Sequence, residues 1–176
     1  YTGNSLSSKA TNFYIRLREQ YRPRRIRAVF VLESPPTSGW YFYNPQGRVS
    51  EPLFRAMMRL LPYGPVTKEE GLRAFRMAGF YLVNATYTPM NGFRSGALRD
   101  RKILGNYRNL VADLRKRIGG KRTPIVLVKR NICTLLEPRL VADGFRVINR
   151  GQRVPFPSHG WQHTFHQRVA SILRTV

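Results

Sequence analysis

The sequence predicts an α/β fold: a single three-layer α/β/α domain over residues 1–176, built on a central four-stranded parallel sheet. Three observations predict it. Short runs rich in β-branched and aromatic residues recur at 26–32, 79–84, 124–128 and 145–148. The first of these is continuously apolar from Ala28 to Leu32, the pattern of a strand buried on both faces. Helical segments separate the runs and no hairpin turn joins them, which implies right-handed crossovers between parallel neighbours.

The elements follow in order. Residues 1–5 read as frayed, and a helix is expected over 8–20, with Ser7 or Ser8 as N-cap and Phe13, Ile15 and Leu17 as apolar contacts. Pro23 stops it before the first strand. Residues 33–50 form a loop carrying Pro35, Pro36, Gly39, Pro45 and Gly47, and loops of that length inside a domain tend to be functional. A helix is expected over 51–61, with Pro52 in its first turn and Leu53, Phe54, Met57, Met58 and Leu61 as its stripe. Thr67 followed by Glu70 spells a capping box for the next helix, 67–78. One long helix is expected over 98–118, closed by Gly119 and Gly120. A helix over 131–143, broken or bent near Pro138, precedes the fourth strand, and a last helix covers 162–174.

Charge points to the partner. Thirty-one Lys and Arg against nine acids give a formal net charge of +22. Such an excess destabilises a chain by self-repulsion, and a polyanion explains it because each neutralised phosphate releases counterions. The basic residues run from Arg16 to Arg174, so the fold and not a tail must build the binding surface. No apolar run approaches the ~20 residues of a membrane helix, no signal-peptide pattern opens the chain, and no basic amphipathic helix dominates. The lone Cys133 makes neither a disulfide framework nor a thiolate cluster. The chain reads as a soluble, intracellular (cytoplasmic) protein.

In open parallel sheets, ligands bind beyond the carboxyl ends of the strands. That rule selects Glu33-Ser34-Pro35-Pro36 after the first strand and Asn84 to Thr88 after the second. It selects Lys129, Arg130 and Asn131 after the third, and Pro155 to Trp161 after the fourth. Glu33 stands out because acids are scarce and a carboxylate at the end of a buried strand must be used or paired. A structural salt bridge to one of the many basic residues is its bland explanation. Asn84 offers the carbonyl and amide that read the edge of a base, or simply caps a strand end. Ser158 before Gly160 suits either a phosphate contact or an ordinary N-cap. Trp40, Tyr41, Phe42 and Tyr43 offer rings for stacking, although core packing explains any one of them. His159, His163 and His166 lie close together but without nearby acids, so no metal is expected.

These residues resemble the uracil-DNA glycosylase superfamily, in a divergent bacterial-type branch without an iron–sulfur cluster. Val31-Leu32-Glu33-Ser34-Pro35-Pro36 stands at the family's first motif, and Gly39-Trp40-Tyr41-Phe42 is similar to the Gly-x-x-Phe stretch whose Phe stacks on uracil. Leu82-Val83-Asn84-Ala85-Thr86-Tyr87-Thr88 resembles the motif whose Asn reads the uracil edge. Phe156-Pro157-Ser158-His159 is similar to the late His-Pro-Ser-Pro motif, with Phe156 where the family carries its His. Ser34 occupies the place of the catalytic Asp of the best-known members, while Glu33 matches the Gly-Glu-Ala-Pro-Gly version of other branches.

The resemblance implies a DNA repair enzyme that excises uracil from single- or double-stranded DNA, acting as a monomer without a cofactor. It implies Glu33 as the catalytic carboxylate, and His159, or the neighbouring His163, as a group beside the departing base. Phe42, Asn84, Ser34 and Pro35 would then hold the base. Ser158, Trp161, Lys129, Arg130 and Arg153 would contact the DNA, with Trp161 wedged into the vacated gap. Two other readings stay open: a metal-dependent nuclease, for which acids are few, and a non-catalytic basic nucleic-acid-binding module.

Overall fold

A computed structural model describes residues 3–62, 64–118 and 122–176. At its centre is a three-stranded parallel sheet of order β2-β1-β3, formed by β1 (Ala28–Leu32), β2 (Phe80–Asn84) and β3 (Ile125–Leu127). Every residue of the three strands is buried, as expected of apolar runs covered on both faces. Ala28 aligns with Phe80 and Leu32 with Asn84, so the carboxyl ends of β1 and β2 finish level with each other. Pairing extends past β1, where the Ala85 and Thr86 amides donate to the carbonyls of Leu32 and Glu33 at 2.7 and 3.0 Å.

The expected fourth strand at 145–148 is not formed. The segment makes one isolated parallel bridge, Val147 to Ile125, and a second bridge joins Val154 to Val128. Between them the buried Asn149 side chain takes the place of a strand. Its Oδ1 accepts from the Leu127 amide and its Nδ2 donates to the Leu127 carbonyl, both at 2.9 Å. A side-chain amide thus satisfies the edge of β3, and the main chain is free to turn away.

Seven helices flank the sheet among the described residues. The first, α1 (Gly3–Gln20), starts before Ser7 and Ser8, so neither is its cap. The second, α2 (Pro52–Met58), ends a turn earlier than expected, and α3 (Lys68–Met77) opens on the Thr67–Glu70 capping box. The long helix expected over 98–118 is two helices, α4 (Gly96–Gly105) and α5 (Tyr107–Arg117), jointed at Asn106. The cause is local: Asn106 Nδ2 donates to the Ala85 carbonyl at 2.6 Å, which ties the joint to the end of β2. The expected stop at Gly119 and Gly120 lies outside the described residues. Next, α6 (Arg130–Ala142) runs unbroken through Pro138, and α7 (Gln162–Leu173) closes the series. No helix among the described residues is long and apolar enough to cross a membrane.

Two buried ionic clusters fasten this frame. Arg18, fully buried, binds both oxygens of Asp113 at 2.7 and 3.0 Å and donates to the Tyr87 hydroxyl. Tyr87 also accepts the Asn84 amide at 3.4 Å, so the cluster braces the end of β2 from behind. The second cluster pins the long loop. Lys68 Nζ donates to Glu51 Oε2 at 2.5 Å and to the Tyr41 carbonyl at 2.8 Å, and Glu51 Oε1 accepts the Arg48 amide at 2.8 Å. Tyr43, in the same loop, accepts the Leu82 amide at 2.8 Å and so covers the free edge of β2.

Candidate active site

Beyond the carboxyl ends of β1 and β2 lies a cavity of about 460 Å³. The long loop supplies Glu33, Ser34, Pro35, Pro36, Trp40 and Phe42 to its wall. Asn84, Arg99, Lys129, Phe156 and Ser158 arrive from four other segments, and Glu51 and Leu53 line it from the start of α2. The segments chosen by the strand-end rule therefore meet at one place.

Glu33 sits where its strand ends, with 13% of its side chain exposed. Both carboxylate oxygens are engaged: Oε2 with the Lys129 ammonium, and Oε1 with Asn131 Nδ2 at 2.8 Å. The resemblance implies a DNA contact for Lys129; in the structure its ammonium binds Glu33. Lys129 is also the one non-glycine among the described residues with positive φ, at φ 86° and ψ 136°. A side chain in that region costs about 1–3 kcal/mol, and such strain collects where surrounding structure and function impose it. Here the Lys129 amide donates to the Val154 carbonyl at 2.9 Å, and the turn starts α6 immediately beside Glu33.

Asn84 lines the same cavity and is 4% exposed, and its Oδ1 has no hydrogen-bond partner. Leaving a buried carbonyl oxygen unsatisfied costs about 1–3 kcal/mol, which a ligand N–H would recover. Phe42 lines the cavity but is 3% exposed and belongs to the core, where it meets Phe75 at 5.0 Å and Phe54 at 5.7 Å between ring centroids. Tyr41 and Tyr43 are core residues as well. Trp40 differs: it lines the cavity yet is 55% exposed, a ring on the rim with a free face.

The remaining expected residues divide. Ser34, Pro35 and Ser158 line the cavity. His159 and Trp161 do not; both are exposed on the turn before α7. Phe156 is the cavity residue of that segment, so the geometry brings no histidine to the wall. Arg130 and Arg153 line a neighbouring concavity that shares Arg99 and Lys129 with the first. Among the described residues no three His, Cys, Asp or Glu side chains gather as a metal-holding group.

Sequence reasoning missed Arg99 and Glu51. Arg99 gave no signal among so many basic residues. Glu51 did, since the scarcity that singled out Glu33 applies equally to an acid just before Pro52. Comparison with known proteins adds nothing to this geometry: no protein-family model, no curated protein and no solved structure matches the chain.

Proposed function

We propose that the chain is a monofunctional DNA glycosylase of base excision repair, which takes uracil out of the DNA stack into this cavity and hydrolyses its N-glycosidic bond. One observation carries the reading: Asn84, whose buried side-chain oxygen has no partner, lines the same cavity as Glu33. Asn84 Oδ1 suits an N–H on the edge of a pyrimidine, and the ring of Phe42 or of the more exposed Trp40 suits its plane. The three-stranded parallel sheet lacks the fourth strand of the frame that the resemblance implies, and two isolated bridges, at Val147 and Val154, lie along that edge.

In this reading the bond between the sugar C1′ and the base nitrogen breaks, and the electron pair leaves with the base. The positive charge developing on the sugar draws on Glu33, which enters as half of an ion pair with Lys129 and takes a proton from the attacking water. The water oxygen bonds to C1′, leaving an abasic site. The base departs as an anion toward the Asn84 amide group.

A second reading rests on the Glu33–Lys129–Asn131 contacts, which are also what a purely structural salt bridge looks like. The chain would then be a non-catalytic nucleic-acid-binding module. A single assay separates the possibilities. The protein is incubated with a uracil-containing oligonucleotide in EDTA and then treated with alkali. Strand breaks that need alkali support the glycosylase, whereas breaks that need added metal and no alkali indicate a nuclease. No breaks in either arm leaves the binding module. Excision surviving Glu33→Ala at the wild-type rate removes Glu33 from the mechanism, and Asn84→Asp with unchanged base preference removes Asn84 from recognition.

A further inference from the structure

The neighbouring concavity, about 510 Å³, holds Arg99, Arg130 and Arg153 on three separate segments, with Lys129 at its boundary. None of the three arginines has a carboxylate partner among the described residues, although Asp100 lies in the same groove. Lys129 is already committed to Glu33, so three guanidinium groups face one carboxylate. Gathering like charges is unfavourable until an anion arrives. Arg99 is pre-positioned, its Nε donating to the Phe93 carbonyl at 3.1 Å, and it lines both concavities. The first turn of α6, a 13-residue helix whose N-cap Lys129 makes no side-chain cap, adds free amides at the same place.

We propose that this groove is a phosphodiester subsite for one DNA strand leaving the cavity, with Arg99, Arg130 and Arg153 holding consecutive phosphates. The inference rests on the nucleic-acid part of the proposed function but not on uracil excision. Three arginines in one groove suit the backbone of a single strand. Asp100 weakens the site by repelling the same phosphates.

The probe is a uracil-free, dye-labelled single-stranded thymidine oligonucleotide, its anisotropy followed across a salt series. Each phosphate contact contributes about 0.7 to the slope of log affinity against log salt for a single strand. Arg130→Ala and Arg153→Ala are each expected to lower the slope by about that amount and to weaken binding by roughly 3–10-fold at moderate salt. Asp100→Asn is expected to tighten binding, and Arg73→Ala, in neither concavity, to change nothing. Arg130 and Arg153 are exposed, so both variants are expected to melt at the wild-type temperature. Wild-type slopes in both variants, together with an unaltered Asp100→Asn, overturn the subsite. Tighter binding of a duplex or an RNA of equal length overturns the choice of strand. Normal slopes in wild type with no excision of uracil count against the glycosylase alone.

Discussion

Lys68→Met tests how the cavity wall is held. In the wild type, Lys68 and Glu51 are 2% and 6% exposed, and the ammonium serves two acceptors, Glu51 Oε2 and the Tyr41 carbonyl. Burial lowers the Lys68 pKa, and the hydrogen bond and charge of Glu51 work in the opposite direction. Methionine keeps most of the volume but strands the carboxylate. Glu51 retains the Arg48 amide and nothing cationic. Breaking a buried pair by removing one partner costs about 3–5 kcal/mol, and the orphaned Tyr41 carbonyl adds about 1 kcal/mol or more. The expected loss is therefore about 4–6 kcal/mol, most of the stability of many domains. Lys68→Met with Glu51→Leu removes both charges and is expected to recover more than half of that loss. Urea unfolding of the two single variants and the double variant gives the coupling directly. A single variant costing under about 1 kcal/mol, or a double variant costing the sum of the singles, refutes the argument.

Further expectations concern packing and titration. Gly71→Ala places a Cβ 2.4 Å from the Phe54 ring and 2.7 Å from the Met58 sulfur, where α3 crosses α2. A loss of about 1–3 kcal/mol is expected in urea unfolding, and an unchanged midpoint would show that the helices separate freely. Burial raises the pKa of Tyr41, Tyr43 and Tyr81, and that of Tyr87 to about 12, with Arg18 opposing the shift at each. The unfolded chain thus loses its tyrosine protons first, so this contribution is intact below pH 10 and declines as pH rises through the folded values. Unfolding followed at a series of alkaline pH values should show stability falling above about pH 10, together with delayed tyrosinate absorbance; a flat profile contradicts it. Cys133 is 3% exposed and its thiol is pushed up, by burial first. It should resist a thiol reagent in the native protein and react fully in guanidinium; rapid native labelling would mean that α6 opens easily.

Strand existence was legible because β1 and β2 are apolar at every position up to Asn84, a pattern that few other structures tolerate. The fourth strand misled for a reason that composition hides. Asn149 imitates a peptide group at Leu127, and nothing in the residues before it announces that. The break at Asn106 was equally hidden, since its cause is a hydrogen bond to Ala85, 21 positions away. Glu33 and Asn84 could be selected because strand ends of a parallel sheet share one rim. What occupies Glu33 could not be read: Lys129 reaches it only through a backbone conformation that lysine rarely adopts.

The nine acids have a consequence as a set. Glu19, Glu33, Glu51 and Asp113 neutralise cations of the frame, Glu69 pairs with Arg73, and Glu70, Glu137 and Asp143 accept from Thr67, Gly151 and Tyr107. Little negative charge is left to temper an exterior that carries almost all of the +22 excess. Folding crowds those cations together, and any polyanion that prefers the crowded surface to the extended chain adds RT ln(1 + [L]/Kd) to stability, about 2.7 kcal/mol at a hundredfold excess over Kd. The melting temperature is then a property of the surrounding solution as much as of the chain. It should climb with heparin or nucleic acid, and it should be lowest in dilute buffer.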